Sequence, residues 1–271
     1  AQQRALGTQA ATATLANASV TVDGAAESYP AGSVRAGIPV RAADALTAWS
    51  LAEDGAISAV GGAWDAQQQT YTFDVVSGVT AIARFPFTDV PAGSWYYGAA
   101  AYAYNNGLFG GTSPTTFAPS TVMSRAMFVT VLWRLAGAPA PKGVNTFSDV
   151  PGGTWYTDAV TWAAENGVVS GIGGGRFAPN SNVTREQTAE ILFNYAHSCG
   201  YDVGARADLS AFPDAGSVSG WAQDALSWAN AAGLINGTLY GGRTILDPQG
   251  SASRAQVAMI LRSYAEHVVN A

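Results

Sequence analysis

A chain of 271 residues suits one or two domains and leaves room for a sizeable core. Charged residues make up 12%, about half the ~25% usual in globular chains. The net charge is -6 and Lys142 is the only lysine, so no basic stripe can neutralise a phosphate backbone and a nucleic-acid partner is not expected. Cys199 is the only cysteine and no apolar run approaches the ~20 residues of a membrane helix, which argues against an internal disulfide, a cysteine metal site and membrane insertion.

Residues 1–16 are rich in Ala, Gln and Thr without a clear period and read as a flexible lead-in. No signal peptide opens at Ala1, as expected of a mature form or an excised C-terminal piece. Residues 17–85 change character. Apolar and polar residues alternate at 18–22, 34–40 and 70–76, with Gly24, Gly32, Gly37, Gly55 and Gly78 between the runs. Alternation broken by glycine predicts a small domain of short antiparallel strands. Pro86 stops the last strand and marks a domain boundary.

From Phe87 onward one pattern occurs three times, over 87–136, 147–197 and 212–268. The clearest copy opens with Phe147-Ser148-Asp149-Val150 and turns at Pro151-Gly152-Gly153. A helical pattern then ends at Gly167, a glycine-rich loop leads to Phe177-Ala178-Pro179, and a second helix opens at Thr184. Laid on the copy before it without a gap, Phe147 falls on Phe87, Asp149 on Asp89, Trp155 on Trp95, Pro179 on Pro119 and Arg185 on Arg125. The third copy needs small insertions. Phe212, Asp214, Trp221, Gly237, Pro248 and Arg254 stand for Phe147, Asp149, Trp155, Gly171, Pro179 and Arg185. Internal repetition outranks every other sequence signal for the fold.

In each first helix small and apolar residues recur at helical spacing, as in Ala159, Trp162 and Ala163, and the helix stops at Gly107, Gly167 or Gly233. Thr184 with Gln187 and Ser253 with Gln256 match a capping box, while Ser124 keeps the cap and loses the reciprocal partner. One unit of about 50 residues cannot bury both faces of its second helix. Three units pooling those faces predict a mainly α-helical, pseudo-threefold bundle. Its central candidates are Val129, Leu132, Trp133, Ala189, Leu192, Phe193, Val257, Ile260 and Leu261.

The order F-x-D-V, W-Y, G, F-x-P and [ST]-R resembles the S-layer homology domain, over roughly residues 86–268. Three tandem copies are that family's usual arrangement, and the pseudo-trimer is also what the resemblance implies. Residues 17–85, with Trp49-Ser50 and the ending Tyr71-Thr72-Phe73 to Phe85, are similar to the internalin B-repeat-like group of bacterial surface repeats.

Arg125, Arg185 and Arg254 each follow an N-cap hydroxyl (Ser124, Thr184, Ser253), where the helix dipole disfavours a cation. Guanidinium, hydroxyl and free helix N–H groups together would make an anion pocket. The alternative is a salt bridge to Asp89, Asp149 and Asp214 respectively, tying each unit's start to its own second helix. The resemblance implies the first, because the family's [ST]-R-A-E arginine is implicated in binding pyruvylated secondary cell-wall polysaccharide. Here the fourth motif residue is Met127, Gln187 or Gln256 in place of glutamate. Trp95, Trp155 and Trp221 either stack on a sugar or wedge the two helices of a unit together. The glycine-rich loops allow a ligand to approach closely but match no phosphate-binding fingerprint. The third unit replaces Phe-Ala-Pro by Leu246-Asp247-Pro248 and Trp-Tyr by Trp221-Ala222, so the three grooves should be chemically unequal.

Paired acids such as Asp149 and Asp158 do not recur in the first copy, where Gly98 stands for Asp158, and His197 and His267 lack matched partners. No catalytic residue, metal or cofactor is expected. The resemblance implies a secreted protein of a Gram-positive-type envelope, monomeric, with a peptidoglycan-linked polysaccharide as partner. Its function would be non-covalent anchoring to the cell wall. The alternatives are a self-assembling S-layer subunit or the anchoring fragment of a surface hydrolase.

Overall fold

A computed structural model describes residues 85–91 and 93–269 in full, together with backbone strands between Thr14 and Arg84. Among those strands Leu46–Leu51 and Gly78–Arg84 pair antiparallel. The expected lead-in at 1–16 and β-rich domain at 17–85 depend on side chains and connections of this stretch that lie outside the described residues. The chain divides into two compact units, Ala1–Pro119 and Ser120–Ala271.

The described part is mainly helical. In the first unit stands α1 (Tyr97–Asn105); in the second stand α2 (Arg125–Leu135), α3 (Thr157–Glu165), α4 (Arg185–Ser198), α5 (Gln223–Ala231) and α6 (Arg254–Tyr264). A hairpin of Thr238–Tyr240 with Arg243–Ile245 occupies the loop of the third repeat. Among the described residues no helix is long and apolar enough to cross a membrane.

The helix ends follow the local chemistry. Gly107, Gly167 and Gly233 have φ of 69°, 69° and 71°, the left-handed conformation that closes a helix and that glycine adopts without steric cost. At the other end Ser124, Thr184 and Ser253 accept the N–H of Met127, Gln187 and Gln256 at 3.2, 3.2 and 3.3 Å. The capping boxes close at Thr184 and Ser253.

Before each second helix the chain is extended, and in the second unit these three stretches join in a ring. The N–H of Met123 donates to Ala252 O at 2.9 Å, that of Val183 to Met123 O at 3.0 Å, and that of Ala252 to Val183 O at 3.1 Å. A second ring-like set runs through the arginines. The N–H groups of Arg125, Arg185 and Arg254 donate to Ser181, Gly250 and Thr121 O, each at 2.9 Å.

Around this ring α2 packs on α3 and α4 on α5, so a second helix lies against the first helix of the following repeat. Val129, Leu132, Ala189, Leu192, Val257 and Leu261 are fully buried, as expected, and Ile260 nearly so. Each such Leu or Val stabilises the fold by about 1.5–3 kcal/mol. Trp133 and Phe193 are only half-buried. The Trp133 indole N–H donates to Pro139 O at 2.8 Å, and Phe193 stands edge-on to Trp228 at 5.6 Å.

The close approaches at the loop glycines are internal. A Cβ on Gly171 would stand 2.6 Å from Arg176 O and 2.9 Å from Phe147 Cε1. Gly111 and Gly237 meet Phe87 and Phe212 in the same way. These glycines let the opening phenylalanine of each repeat pack closely against its own loop. Gly171→Ala should therefore cost about 1–3 kcal/mol through overpacking. Gly152→Ala, where a Cβ meets nothing within 4 Å, should stay within about 0.5 kcal/mol. Urea denaturation of both variants checks this, and equal losses would refute it.

Candidate functional site

Two of the first-turn arginines find their reason in the next repeat. Arg125 is 6% exposed. Its Nε donates to Phe177 O at 2.9 Å and its Nη2 to Ser170 O at 3.2 Å, with the guanidinium 4.7 Å from the Phe177 ring centroid. Arg185 is equally buried, and its Nε donates to Leu246 O at 2.8 Å. Arg254 is buried as well. Burial lowers the pKa of Arg125 and Arg185 from the ordinary value, opposed by the charge of Asp149 for the first and by Asp247 and Asp214 for the second.

The aspartates pin the same kind of loop from its N–H side. Asp149 accepts from Phe177 N at 2.7 Å and Ala178 N at 2.9 Å. Asp89 accepts from Phe117 N at 2.8 Å and Ala118 N at 2.7 Å, and Asp214 from Leu246 N at 2.8 Å and Asp247 N at 2.7 Å. The second donor is always a non-glycine residue with positive φ: 59° at Ala118, 60° at Ala178 and 50° at Asp247. Such a conformation persists only when its surroundings hold it, and two charge-assisted bonds from one carboxylate do so.

For Arg185 the salt bridge within a repeat is replaced by a grip shared with the next repeat. Among the described residues no ion pair joins Arg185 to Asp149, the aspartate of its own repeat; Asp149 pairs with Arg176 at 3.6 Å. Instead Asp149 holds the N–H of Phe177 while Arg125 holds its carbonyl, and Asp214 and Arg185 do the same for Leu246. The loss of Phe-Ala-Pro in the third repeat leaves this contact intact because every loop group involved belongs to the backbone.

Trp95, Trp155 and Trp221 are 64%, 62% and 54% exposed. An indole wedged between two helices would be buried, so the wedge alternative does not hold. Among these aromatics Trp162 and Trp228, one helical period further along, are buried. Trp221 borders a groove of about 470 Å³, which is also lined by Arg125, by loop residues 168–172 and by Gln187, Glu190, Ile191 and Asn194 of α4. Three repeats meet there: α2 of the first, loop and α4 of the second, and the opening of the third. Of the sequence candidates the groove gathers Arg125 and Trp221. Arg185, Arg254, Asp149, Asp214, Trp155 and the hydroxyls of Ser124, Thr184 and Ser253 do not line it. Asp89 and Trp95 belong to the first unit.

The sequence reading missed Glu190 and Asn194. A signal existed, since Glu190 stands where the other copies carry Thr130 and Met259. Burial pushes the Glu190 carboxyl up from its ordinary value, the charge of Asp224 adds to that, and the hydrogen bond from Asn194 at 3.4 Å opposes it.

Arg125→Ala would strand the carbonyls of Phe177 and Ser170 and should lower stability by about 2–4 kcal/mol. Arg125→Lys should not restore it, because lysine lacks the planar fork; urea midpoints check both. Asp149 titrates below its ordinary value. Burial alone would raise it, but the N–H groups of Phe177 and Ala178 and the charge of Arg176 outweigh burial. A carboxyl lowered by folding contributes stability above its unfolded pKa and loses it as pH falls through the folded one. Asp149→Asn should flatten that part of the acid limb when thermal midpoints are followed into acid, and an unchanged limb would refute it.

The S-layer homology domain family matches residues 86–127, 146–189 and 211–258. The chain is 33% identical over 60% of its length to the Surface-layer 125 kDa protein of Lysinibacillus sphaericus, of which it covers 13%. It is 32% identical over 65% of its length to an endoglucanase of Bacillus sp. (strain KSM-635), of which it covers 18%. It is also 32% identical over 45% of its length to the S-layer protein sap of Bacillus anthracis, of which it covers 15%. The chain thus spans less than a fifth of each of these relatives. With three matched segments coinciding with three copies of one Asp-loop-Arg geometry, this chain carries three tandem S-layer homology domains.

Proposed function

We propose that the three domains fix this protein non-covalently to a bacterial cell wall by binding a secondary cell-wall polysaccharide, pyruvylated in keeping with the role of the family's arginine. The groove between the second and third repeats carries the reading. Arg125 commits two N–H groups to carbonyls, and a guanidinium has further donors for a carboxylate. Gln187 and Asn194 each offer a donor and an acceptor, as sugar hydroxyls require. Where the family has glutamate, the Gln187 carboxamide adds a donor. Trp221 offers an exposed ring face, and aromatic rings pack well against apolar surface while tolerating water at their edge.

Two further observations fit this reading. Asp149 and Asp214 spend both carboxylate oxygens on backbone N–H groups. The ring through Met123, Val183 and Ala252 supports an approximately threefold gathering of the repeats. A cell-surface location belongs to the same reading, since relatives in this family include a surface-layer protein and an S-layer protein.

Trp221→Ala should leave stability within about 0.5 kcal/mol, because the side chain is exposed. It should weaken retention on purified wall sacculi about three- to tenfold, the scale of one aromatic contact. Sacculi stripped of glycan by hydrofluoric acid should retain neither protein. Equal retention of wild type on stripped and intact sacculi would overturn the reading.

A further inference from the structure

Glu186 is a carboxylate buried where the other two copies have alanine. It is 2% exposed, and its counterparts at the same step after the N-cap are Ala126 and Ala255. Its Oε2 accepts the N–H of Ser219 at 3.0 Å; its Oε1 accepts the Ser219 hydroxyl at 2.9 Å and Gln249 Nε2 at 2.8 Å. These donors are all neutral. Burying a charge is costly unless its hydrogen bonds are made good, and alanine fills the same place in two sister repeats. Three hydrogen bonds make that cost good, and all of them run to the third repeat, a tie that the sister copies lack.

What Glu186 holds is specific. Ser219 is the N-cap of a short 3₁₀ turn, Gly220–Ala222, and Trp221 is the middle residue of that turn. In the other repeats the exposed indole is braced by the next residue. Trp95 stands edge-on to Tyr96 at 5.2 Å and Trp155 edge-on to Tyr156 at 5.0 Å. Trp221 is followed by Ala222, which has no ring to offer. The repeat that lost the tyrosine brace is the one whose tryptophan turn is tied down by a buried carboxylate from the preceding repeat. Trp221 is also the indole that lines the groove with Arg125.

We propose that Glu186 is a positioning residue: through Ser219 it fixes the turn that carries Trp221, and so presents that indole to the groove between the second and third repeats in one orientation. The glycan as ligand rests on the function proposed above; the positioning of the indole rests on the geometry alone.

The test uses the full chain labelled with 5-fluorotryptophan, its Trp221 resonance assigned by Trp221→Phe. Glu186→Ala should move the Trp221 fluorine resonance and leave those of Trp95 and Trp155 in place. Glu186→Gln, which keeps an acceptor for the Ser219 N–H, should lie nearer to wild type. Ser219→Ala, which removes one donor, should move the same resonance and serves if Glu186→Ala does not fold. In calorimetry with a pyruvylated wall fragment, Glu186→Ala should weaken binding about three- to tenfold in the Trp221 protein but less than about twofold in a Trp221→Ala background. A Trp221 resonance unmoved by Glu186→Ala, or by Ser219→Ala if the first does not fold, overturns the proposal, and so do equal affinity losses in both backgrounds. If wild type does not bind the fragment, the glycan reading fails, and the fluorine resonance still decides the positioning.

Discussion

A closed ring of backbone hydrogen bonds governs residues 120–271. Each extended stretch before a second helix gives an N–H to one neighbour and takes one from the other: Met123 to Ala252, Ala252 to Val183, Val183 to Met123. A ring of this kind is complete only with all three members. Any single repeat cut from it would carry an extended stretch with an orphaned donor and acceptor, and such groups are costly when buried. The same ring brings each helix start beside a neighbour's loop, which is why α2 rests on α3 and α4 on α5 across the repeat boundary.

The first-turn arginine is a consequence of that placement. A cation at a helix N-terminus is disfavoured by the dipole, and a buried one more so. Here the ring delivers a carbonyl of the next repeat to two of the guanidiniums, Phe177 O to Arg125 and Leu246 O to Arg185. The aspartate of that next repeat holds the same loop by its N–H groups. Arginine, peptide and aspartate form a chain in which each charge meets backbone dipoles and the two charges make no direct ion pair. Arg125 is thereby both a tie between repeats and a wall of the groove, so a loss of binding on its removal would not separate the two roles. The exposed Trp221 and the buried Glu186 do separate them.

What the sequence showed plainly was local. The glycine stops at Gly107, Gly167 and Gly233, the capping boxes at Thr184 and Ser253, and the buried positions around Leu132, Leu192 and Leu261 follow from rules that reach only three or four residues along the chain. What it concealed was relational. Arg125 meets a carbonyl 52 residues on and Arg185 one 61 residues on, and a carbonyl has no side-chain signature to search for. The aspartates looked like partners of the arginines because opposite charges invite pairing. Their real targets are two successive backbone N–H groups, the second on a left-handed Ala118, Ala178 or Asp247, and Ala178 in Phe-Ala-Pro gives no hint of positive φ. The tryptophans were ambiguous between core and surface, since an aromatic at helical spacing suits either, and only burial decides.

Backbone partners also explain how the repeats diverge without losing the scaffold. The third copy exchanges Phe-Ala-Pro for Leu246-Asp247-Pro248, yet Asp214 and Arg185 grip it as their counterparts grip the second copy. Because the gripped groups are peptide N–H and C=O, the side chains beside them are free to change. The residues that α4 presents to the groove, Gln187 and Glu190, are replaced in the other second helices by Met127 and Gln256 and by Thr130 and Met259. A thioether, a carboxamide and a carboxylate cannot recognise the same sugar edge. Equal scaffolds with unequal linings are what a repeat protein built on backbone contacts permits. In such a protein the backbone geometry is set once, by the ring, and the side-chain chemistry is set separately in each repeat.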